Sequence, residues 1–388
     1  MSVRQPTRVL LLRDVPQRRL RSMERLADEI ERGMDGRPGL RMTAMTVNES
    51  AIAARAGLGR LDSYAARFVR YPLAASRRRA DVYHIIDHGY AHLAALLPAP
   101  RVVTSCHDLM LLRAAEGSAG FAPHRISLAR FRWSVSFLRR TARVVVPTHA
   151  TRGDVERLLG VAPGRISVVP YGVDARFRPL PDEARARLRD GIAPGRRLVL
   201  SVATGDPYKN VPATLRVLAA LRDAGADVAL VRAGTPLAPH ERRLARDLRV
   251  DAAVIDYGGV SDARLVELYN ACDLLLFPSF WEGYGWPPLE AMACGTPVVV
   301  SDCPALAEVA GDAALSAPAA DVVALTRAVR AVLDSPCLTL ALRQRGIERA
   351  ARCTWRETVE SFARIYEEVA CGAEPSAPRA EASPACAE

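Results

Sequence analysis

Short apolar runs alternate with amphipathic stretches along the first half of the chain. The intervals between them show helical periodicity, as at Arg18–Met34 and at Thr148–Leu159, where Thr148 or Thr151 is suited to cap the helix. Apolar runs that alternate with helices predict βαβ units and a parallel sheet. The predicted strands are Val9–Leu12, Val82–Ile86, Arg101–Ser105, Arg143–Val146 and Ile166–Val169.

A second series of the same kind follows a break. Between Tyr171 and Arg196 the pattern is interrupted by Pro179, Pro181 and Pro194, which favours a connection between domains. Helices are then predicted at Val211–Ala224, Pro239–Leu248 and Ala263–Ala271. The predicted strands of this second series are Leu198–Val202, Val228–Val231, Val254–Asp256, Leu274–Phe277 and Val298–Val300.

The predicted fold class is therefore α/β, with two Rossmann-like parallel-sheet domains facing across a cleft. The predicted boundaries are an N-terminal domain at 1–178, a linker at 179–196, a C-terminal domain at 197–371 and a disordered tail at 372–388. The last helix of the C-terminal domain is a candidate for crossing back to the N-terminal domain. Ligands of such sheets bind outside the carboxyl ends of the strands, so we expect the site in the cleft.

Composition restricts the class of protein. No apolar run reaches the length of a membrane span, and Val9–Leu12 is too short for the core of a signal peptide, so we expect a cytoplasmic protein. The eight cysteines include no CxxC pair and match no zinc-binding spacing. His84, His88 and His92 are spaced by four residues but fall on different predicted elements. We therefore predict no metal site.

The charge is concentrated in the N-terminal half. Residues 1–180 contain 30 arginines and 15 acidic residues, whereas the remainder carries an excess of acid. Such a surface attracts phosphates, anionic lipid or nucleic acid, or is simply solvated. The segment His124–Arg140 interleaves arginines with aromatic residues, as a helix at an anionic membrane surface or a packed helix edged by arginine stems would. No aromatic–basic binding module for nucleic acid is present, so nucleic acid is not an expected partner.

Lys209 is the only lysine among the 53 basic residues. A compact ammonium differs from the arginine fork in the ligands that it suits. Lys209 lies in Val202–Asn210, which follows the first strand of the second series and precedes a helix. A lysine at that place can act as a point charge on a phosphate.

The segment Phe277–Val300 carries the most informative motif. It leaves a predicted buried strand, passes Gly283 and Gly285, and enters a helix after two prolines. Glycines at this place permit close approach of backbone amides to a diphosphate at a helix N-terminus. Glu282 and Glu290 have seven residues between them and are suited to bind sugar and ribose hydroxyls; the alternative is a solvated loop residue and an ordinary helix residue.

This segment resembles the signature of glycosyltransferase family 4, in which two glutamates flank a Gly-aromatic-Gly sequence, here Gly283-Tyr284-Gly285. The resemblance covers about His84 to Tyr366. Further segments carry it, namely Val144–Asp154, Val168–Asp174, Tyr257–Tyr269, Gly295–Val300 and Pro304–Asp312.

The resemblance implies a GT-B fold and a set of residue roles. It places Glu282 against the transferred sugar, Glu290 on the ribose and Lys209 on the donor diphosphate. It places His107, after the strand Arg101–Ser105, near the reacting groups. The other residues expected at the donor are Gly283, Tyr284, Gly285, Asp206 and Gly259, with Arg232 as a second phosphate cation; those expected on the acceptor side are His88 and His92.

Two positions depart from the family pattern. Many members carry an arginine six residues before the lysine, where this chain has Ala203, and what replaces that cation is open. Many members also have a glycine-rich turn after the first strand, whereas Arg13–Arg21 contains no glycine. The acceptor is therefore left open.

The resemblance implies an enzyme that moves a hexose of mannose or glucose type, with retention, from a GDP- or UDP-sugar to a saccharide or lipid-linked acceptor. No cofactor or metal is expected, and an anionic membrane surface is a candidate partner. The alternatives are a GT-B nucleotide-sugar epimerase, which needs no acceptor, and a non-catalytic basic binding protein on the same scaffold.

Overall fold

The structure is a computed structural model that describes residues 5–15, 21–47, 59–117 and 120–372. Its chain divides into two compact units. Unit 1 comprises 1–112, 123–172 and 355–388, and unit 2 comprises 113–122 and 173–354. The tail that the sequence predicts to be disordered lies, from residue 373 onward, outside the described residues.

Unit 1 is built on a six-stranded parallel sheet with the strand order β2-β1-β3-β4-β5-β6. The inner strands β3, β4 and β5 are buried at every residue, including polar residues such as His84 and Arg143, and valine and isoleucine make them recognisable in the sequence. The strands are β1 (Thr7–Leu12), β2 (Leu40–Met45), β3 (Val82–Ile85), β4 (Val102–Ser105), β5 (Arg143–Val146) and β6 (Ile166–Val168).

Helices cover this sheet. The α-helices are α1 (Arg21–Met34), α2 (Gly59–Ala65), α3 (Tyr71–Ser76), α4 (Met110–Ala115), α5 (Arg125–Ser136), α6 (His149–Leu159) and, from the far end of the chain, α15 (Trp355–Ala370). A π-helical turn, Ala66–Arg70, joins α2 to α3, and a 3-10 helix spans His88–Ala95. Thr148 caps α6 as predicted, since its hydroxyl accepts a hydrogen bond from the Thr151 amide.

Helix α15 is a structural part of unit 1 although it follows the whole of unit 2 in sequence. It packs closely on α1, since a Cβ atom at Gly33 would lie 2.5 Å from a methyl carbon of Val359. It also satisfies a buried polar group, because the Tyr366 hydroxyl lies 2.7 Å from Nδ1 of His84 on β3. Nε2 of His84 lies 2.8 Å from the Ser105 hydroxyl, so both ring nitrogens have partners.

Unit 2 contains a second six-stranded parallel sheet, with the order β12-β11-β10-β7-β8-β9. Its strands are β7 (Arg197–Ala203), β8 (Val228–Gly234), β9 (Val254–Asp256), β10 (Leu274–Phe277), β11 (Val298–Ser301) and β12 (Ala314–Ala317). Its α-helices are α7 (Asp182–Ile192), α8 (Val211–Asp223), α9 (Pro239–Asp247), α10 (Asp262–Ala271), α11 (Trp286–Ala293), α12 (Pro304–Ala310), α13 (Val322–Asp334) and α14 (Pro336–Ala351).

The α/β class with two parallel sheets is confirmed, but two strands were not predicted. In β2 the apolar residues are interrupted by Arg41 and Thr43, and β12 contains Leu315 as its one large apolar residue, so neither forms a clear apolar run. The predicted linker at 179–196 is not an irregular connection, because the helix α7 occupies its middle. The Asn270 side chain of α10 accepts from the Leu180 amide, and Arg189 of α7 binds Asp273, which fixes this helix within unit 2.

Candidate functional site

The order of strands in unit 2 places two loops side by side. β7 is the first strand of its sheet, and the chain continues on one side through β8 and β9 and on the other through β10, β11 and β12. A sheet of this type binds ligands at the carboxyl ends of the two strands where the order reverses. In unit 2 these strands are β7 and β10, and they are followed by the loops 204–210 and 278–285.

Backbone and side-chain hydrogen bonds hold the two loops together. The Phe280 amide donates to the Tyr208 carbonyl at 2.8 Å. The Asn210 side-chain amide donates to the carbonyls of Pro278 and Ala319 at 3.0 and 2.8 Å. Asn210 has a positive φ of 55°, which asparagine tolerates better than most residues, and precedes α8. Asn210 was not among the residues predicted at the site, although its position directly after Lys209 could have indicated it.

Lys209 and Glu282 meet across these loops. Nζ of Lys209 lies 2.7 Å from Oε1 of Glu282, and the two side chains are only 12% and 10% exposed. The ammonium also lies 5.0 Å from the ring centroid of Tyr208 and 5.1 Å from that of Phe277, within the range of cation–π attraction. The structure thus joins two residues that the sequence separates by 73 positions.

The helix that follows Glu282 carries the second glutamate. Glu290 is 4% exposed, and its Oε2 accepts a hydrogen bond from the Tyr269 hydroxyl at 3.0 Å. Gly285 precedes α11 with a φ of 102°, a conformation that L side chains rarely adopt. The start of α11 offers few amide donors, since Pro287 and Pro288 have no N–H. This shifts the expected binding of a diphosphate from helix amides towards Lys209.

The remaining donor-side candidates differ in how close they lie to the loops after β7 and β10. Asp206 lies in the loop after β7, where its carboxylate accepts from the Thr204 hydroxyl at 2.6 Å. Gly283 and Tyr284 are buried, and the Tyr284 ring packs edge-on against Trp286. Gly259 follows the edge strand β9, two strands away from β7.

Arg232 does not fit its predicted role. It lies within β8, is 1% exposed, and its guanidinium faces Asp256 on β9 with Nη1 3.7 Å from Oδ2. Burial lowers the pKa of this guanidinium against the opposing effect of Asp256. This burial and the contact with Asp256 do not support the predicted role of Arg232 as a substitute for the missing arginine at Ala203, although its Nε and Nη1 make no hydrogen bond within the described chain.

A short segment from the N-terminal half contributes to this site. The segment 113–122 belongs to unit 2 and contacts both loops. Arg113 lies over the ring of Trp281 at 4.6 Å, and the ring of Phe121 lies 6.5 Å from that of Tyr208. At Gly120 an added Cβ would lie 2.4 Å from the Phe280 ring. The sequence does not suggest a role for this segment, because 50 residues separate it from the rest of unit 2.

His107 in unit 1 follows β4, as predicted, but its ring is fully engaged by the protein. Nε2 lies 2.7 Å from the Ile86 carbonyl, which can only accept, so this nitrogen carries the proton. Nδ1 lies 2.7 Å from the Tyr171 hydroxyl and accepts from it. Burial, and then His88, lower the pKa of His107 to about 4. A neutral, saturated imidazole is suited to position the loop after β4 rather than to transfer protons.

The predicted acceptor-side histidines are also buried. His92 is 2% exposed; Nε2 of its ring lies 3.1 Å from the Arg67 carbonyl and Nδ1 lies 3.2 Å from the Ser134 hydroxyl. Its ring packs against those of Phe68 and Trp133, which also contact each other. His88 is 8% exposed and packs on Phe131. His92 therefore has a packing role, and both histidines are largely buried.

Two negative findings apply to the described part of the chain. No cluster of three or more His, Cys, Asp or Glu side chains there has an arrangement able to hold a metal ion. Among the same residues, no helix combines the length and apolar character required to cross a membrane.

Comparison with known proteins gives consistent matches over most of the chain. Residues 182–352 match the model of the family described as "Glycosyl transferases group 1", and residues 35–177 match that of "Glycosyltransferase Family 4". The MMP alpha-(1->4)-mannosyltransferase of Mycolicibacterium hassiacum is 29% identical over 85% of this chain and 80% of that protein. The D-inositol 3-phosphate glycosyltransferase 1 of Catenulispora acidiphila is 30% identical over 74% of this chain and 72% of that protein.

Solved structures match the fold. The crystal structure of Anabaena Alr3699/HepE in complex with UDP-glucose has a TM-score of 0.74 and 16% identity, over 93% of this chain and 100% of that chain.

Proposed function

The chain belongs to the group 1 glycosyl transferases, and from that membership we propose that it transfers a hexose from a nucleoside diphosphate sugar to a saccharide acceptor, free or lipid-linked, with retention of anomeric configuration. The family prediction and the GT-B fold class are confirmed. The donor, the stereochemistry and the acceptor are our proposal.

The observation that carries the proposal is the Lys209–Glu282 pair at the carboxyl ends of β7 and β10. Ligands of parallel sheets bind at such a reversal of strand order. The pair combines a cation for a phosphate with a carboxylate for sugar hydroxyls, and it is largely shielded from water. Shielding strengthens the interaction of both groups with a ligand.

In the proposed reaction the bond between the anomeric carbon and the diphosphate oxygen breaks, and a bond from an acceptor hydroxyl oxygen forms on the same face. Lys209 stabilises the negative charge that develops on the departing diphosphate. A diphosphate oxygen receives the acceptor proton, so no basic side chain is required. This agrees with the saturated ring of His107. A double displacement through a carboxylate is the alternative route.

Glu282 and Glu290 have different proposed ligands. Glu282 binds hydroxyls of the transferred hexose once the donor phosphate takes over its partner Lys209. Glu290, oriented by Tyr269, binds the ribose. A mannose- or glucose-type hexose is favoured for two reasons. A relative that is similar over most of this chain is named a mannosyltransferase, and a solved structure of the same fold is a complex with UDP-glucose.

Donor binding tests the proposal directly. The melting temperature would be measured with GDP, UDP and ADP and with their hexose conjugates, since a ligand that binds the folded state raises it. We expect stabilisation by one nucleotide series, lost in Lys209→Met and retained in Arg216→Met, which removes an exposed cation from α8. No response to any nucleotide sugar would contradict the proposal.

Transfer and stereochemistry are measured separately. Glu282→Gln should reduce transfer more than it reduces donor binding, because it removes a hydrogen-bond acceptor for the reacting sugar but leaves Lys209. The anomeric configuration of the product, determined by NMR, decides retention. An inverted product would refute the proposed mechanism.

A further inference from the structure

Unit 1 contains a cavity at its own reversal of strand order. The order β2-β1-β3-β4-β5-β6 reverses between β1 and β3. A cavity of about 510 Å³ is lined there by Val15, three residues after β1, and by Tyr90, five residues after β3. Its other walls include Tyr64, Arg67 and Phe68 from the α2 and π-helical segment and Arg130 from α5. None of these residues belongs to the predicted donor or acceptor set.

Within the part of the chain that the structure describes, neither arginine of this cavity forms an ion pair. No carboxylate oxygen of the described residues lies within 4.0 Å of the side-chain nitrogens of Arg67 or Arg130, whereas Arg143 of the same unit binds Glu368 at 2.8 Å. Nε of Arg67 is buried and makes no hydrogen bond within the described chain. A buried guanidinium donor without a partner is costly, and an anionic ligand would satisfy it.

The acids nearest to Arg67 do not cancel this charge. Asp14 and Asp87 both interact with Arg67 and with each other. Burial, and then Asp87, raise the pKa of Asp14 well above its ordinary value, which favours the neutral form of that carboxyl. Burial raises the pKa of Asp87, but neighbouring groups, among them His88 and Arg67, outweigh it and the net shift is downward. Among the described residues, the lining of the cavity itself contains two guanidinium groups and no carboxylate.

Aromatic rings orient both guanidinium groups and form the apolar wall. Cζ of Arg67 lies 4.1 Å from the ring centroid of Tyr90 and 5.5 Å from that of Phe68. Nη1 of Arg130 donates to the Tyr64 hydroxyl at 2.6 Å. Nη2 of Arg67 donates to the Gly89 carbonyl at 2.5 Å. Fixed cations beside exposed ring surface suit a ligand with one charged group and one apolar face, such as the C–H face of a sugar.

We propose that this cavity binds the acceptor, and that the acceptor is a saccharide that carries a phosphate or a carboxylate. Arg130 and Arg67 bind the anionic group, and Tyr64 and Phe68 pack against the sugar ring. That the bound saccharide is the acceptor rests on the proposed glycosyl transfer. That the cavity binds an anionic saccharide does not depend on it.

The test measures binding without donor, so its result is independent of nucleotide-sugar chemistry. Mannose 6-phosphate, glucuronate and neutral mannose are titrated into the full chain by calorimetry at low ionic strength. The variant Arg130→Gln removes the charge from an exposed residue and keeps a donor for Tyr64. The matched control Arg132→Gln removes an equal charge from the same helix, at an exposed position that does not line the cavity.

We expect at least one anionic sugar to bind more tightly than mannose, and its Kd to rise about tenfold or more in Arg130→Gln but not in Arg132→Gln. Binding of mannose 6-phosphate alone assigns a phosphate, and binding of glucuronate alone assigns a carboxylate. With donor present, the KM for the anionic acceptor should rise in Arg130→Gln by more than it does in Arg132→Gln.

The proposal is overturned if neither anionic sugar binds better than mannose, or if Arg130→Gln and Arg132→Gln have equal Kd values. Circular dichroism and the melting temperature of both variants exclude loss of fold as the cause. A failure here, together with intact stabilisation by nucleotide sugars, would refute the acceptor cavity and leave the donor site standing.

Discussion

The Lys209–Glu282 pair allows a quantitative prediction from a double-mutant cycle. The variants are Lys209→Met, Glu282→Gln and the double variant, and the measured quantity is the free energy of unfolding without ligand. At 2.7 Å and an effective dielectric constant of about 20, the gross attraction is about 6 kcal/mol. The two side chains are 12% and 10% exposed, so much of this attraction offsets the cost of their desolvation.

Each single variant leaves one buried charge without its partner, which costs about 3–5 kcal/mol for a fully buried pair. Residual solvent contact should bring the loss towards the lower figure. The double variant leaves no orphaned charge and should lose less than the sum of the two single losses. The expected coupling energy is about 1–3 kcal/mol, in the range measured for residues in contact.

Urea unfolding would be followed by the fluorescence of the tryptophans, two of which, Trp281 and Trp286, flank this site in sequence. The pair Arg216→Met with Glu282→Gln serves as the control cycle, since Arg216 is an exposed cation on α8. Additive losses in the Lys209–Glu282 cycle would refute the argument that the two charges stabilise each other.

Three further predictions concern other contacts. Tyr269→Phe removes a hydrogen bond to the buried Glu290 carboxylate and should destabilise the protein by about 1.5–3 kcal/mol and weaken nucleotide binding; unchanged melting temperature and Kd would contradict it. Asp14 holds a proton in the folded protein up to a pKa of about 9, whereas in the unfolded chain its ordinary value is near 4, so wild-type stability is lost as pH rises between these values. Asp14→Asn removes this loss, and its stability relative to wild type should increase from pH 5 to pH 8 by up to about 1.4 kcal/mol per pH unit; parallel pH profiles would exclude the buried acid. Gly120→Ala should destabilise more than Gly117→Ala, because both positions have positive φ but only Gly120 contacts the Phe280 ring; equal melting temperatures would show that the contact is unimportant.

The sequence predicts the inner strands well, because strands buried on both faces appear as short apolar runs such as Leu274–Phe277. It fails at two edge strands, Leu40–Met45, which contains Arg41 and Thr43, and Ala314–Ala317, whose one large apolar residue is Leu315, whereas the partly buried edge strands β6 and β9 are predicted. It also fails at Asp182–Ile192, a helix without a fully buried residue, whose flanking prolines resemble those of a linker. In each case the segment lacks the strong apolar pattern from which strands and helices are recognised.

For the candidate site, the sequence motifs identified Glu282, Glu290 and Lys209. They did not predict that Lys209 contacts Glu282. That Lys209 meets Glu282 depends on β7 lying beside β10, and strand order is not encoded in local periodicity. The same limit explains why Arg67 and Arg130, 63 positions apart, were not selected. His107 and Arg232 show the reverse case, in which a suitable side chain at a suitable strand end is saturated or enclosed by its neighbours.

The return of α15 to unit 1 has a consequence for the order of events on the ribosome. Domains generally fold as they emerge, the N-terminal one first. Here residues 355–370 are synthesised after the whole of unit 2, so until then the sheet of unit 1 lacks a covering helix and His84 lacks the hydroxyl of Tyr366. Unit 2, whose segments 113–122 and 173–354 are already complete at that moment, can therefore reach its native state first. The apolar surface of unit 1 that α15 covers would then stay exposed for the time needed to add about 180 residues.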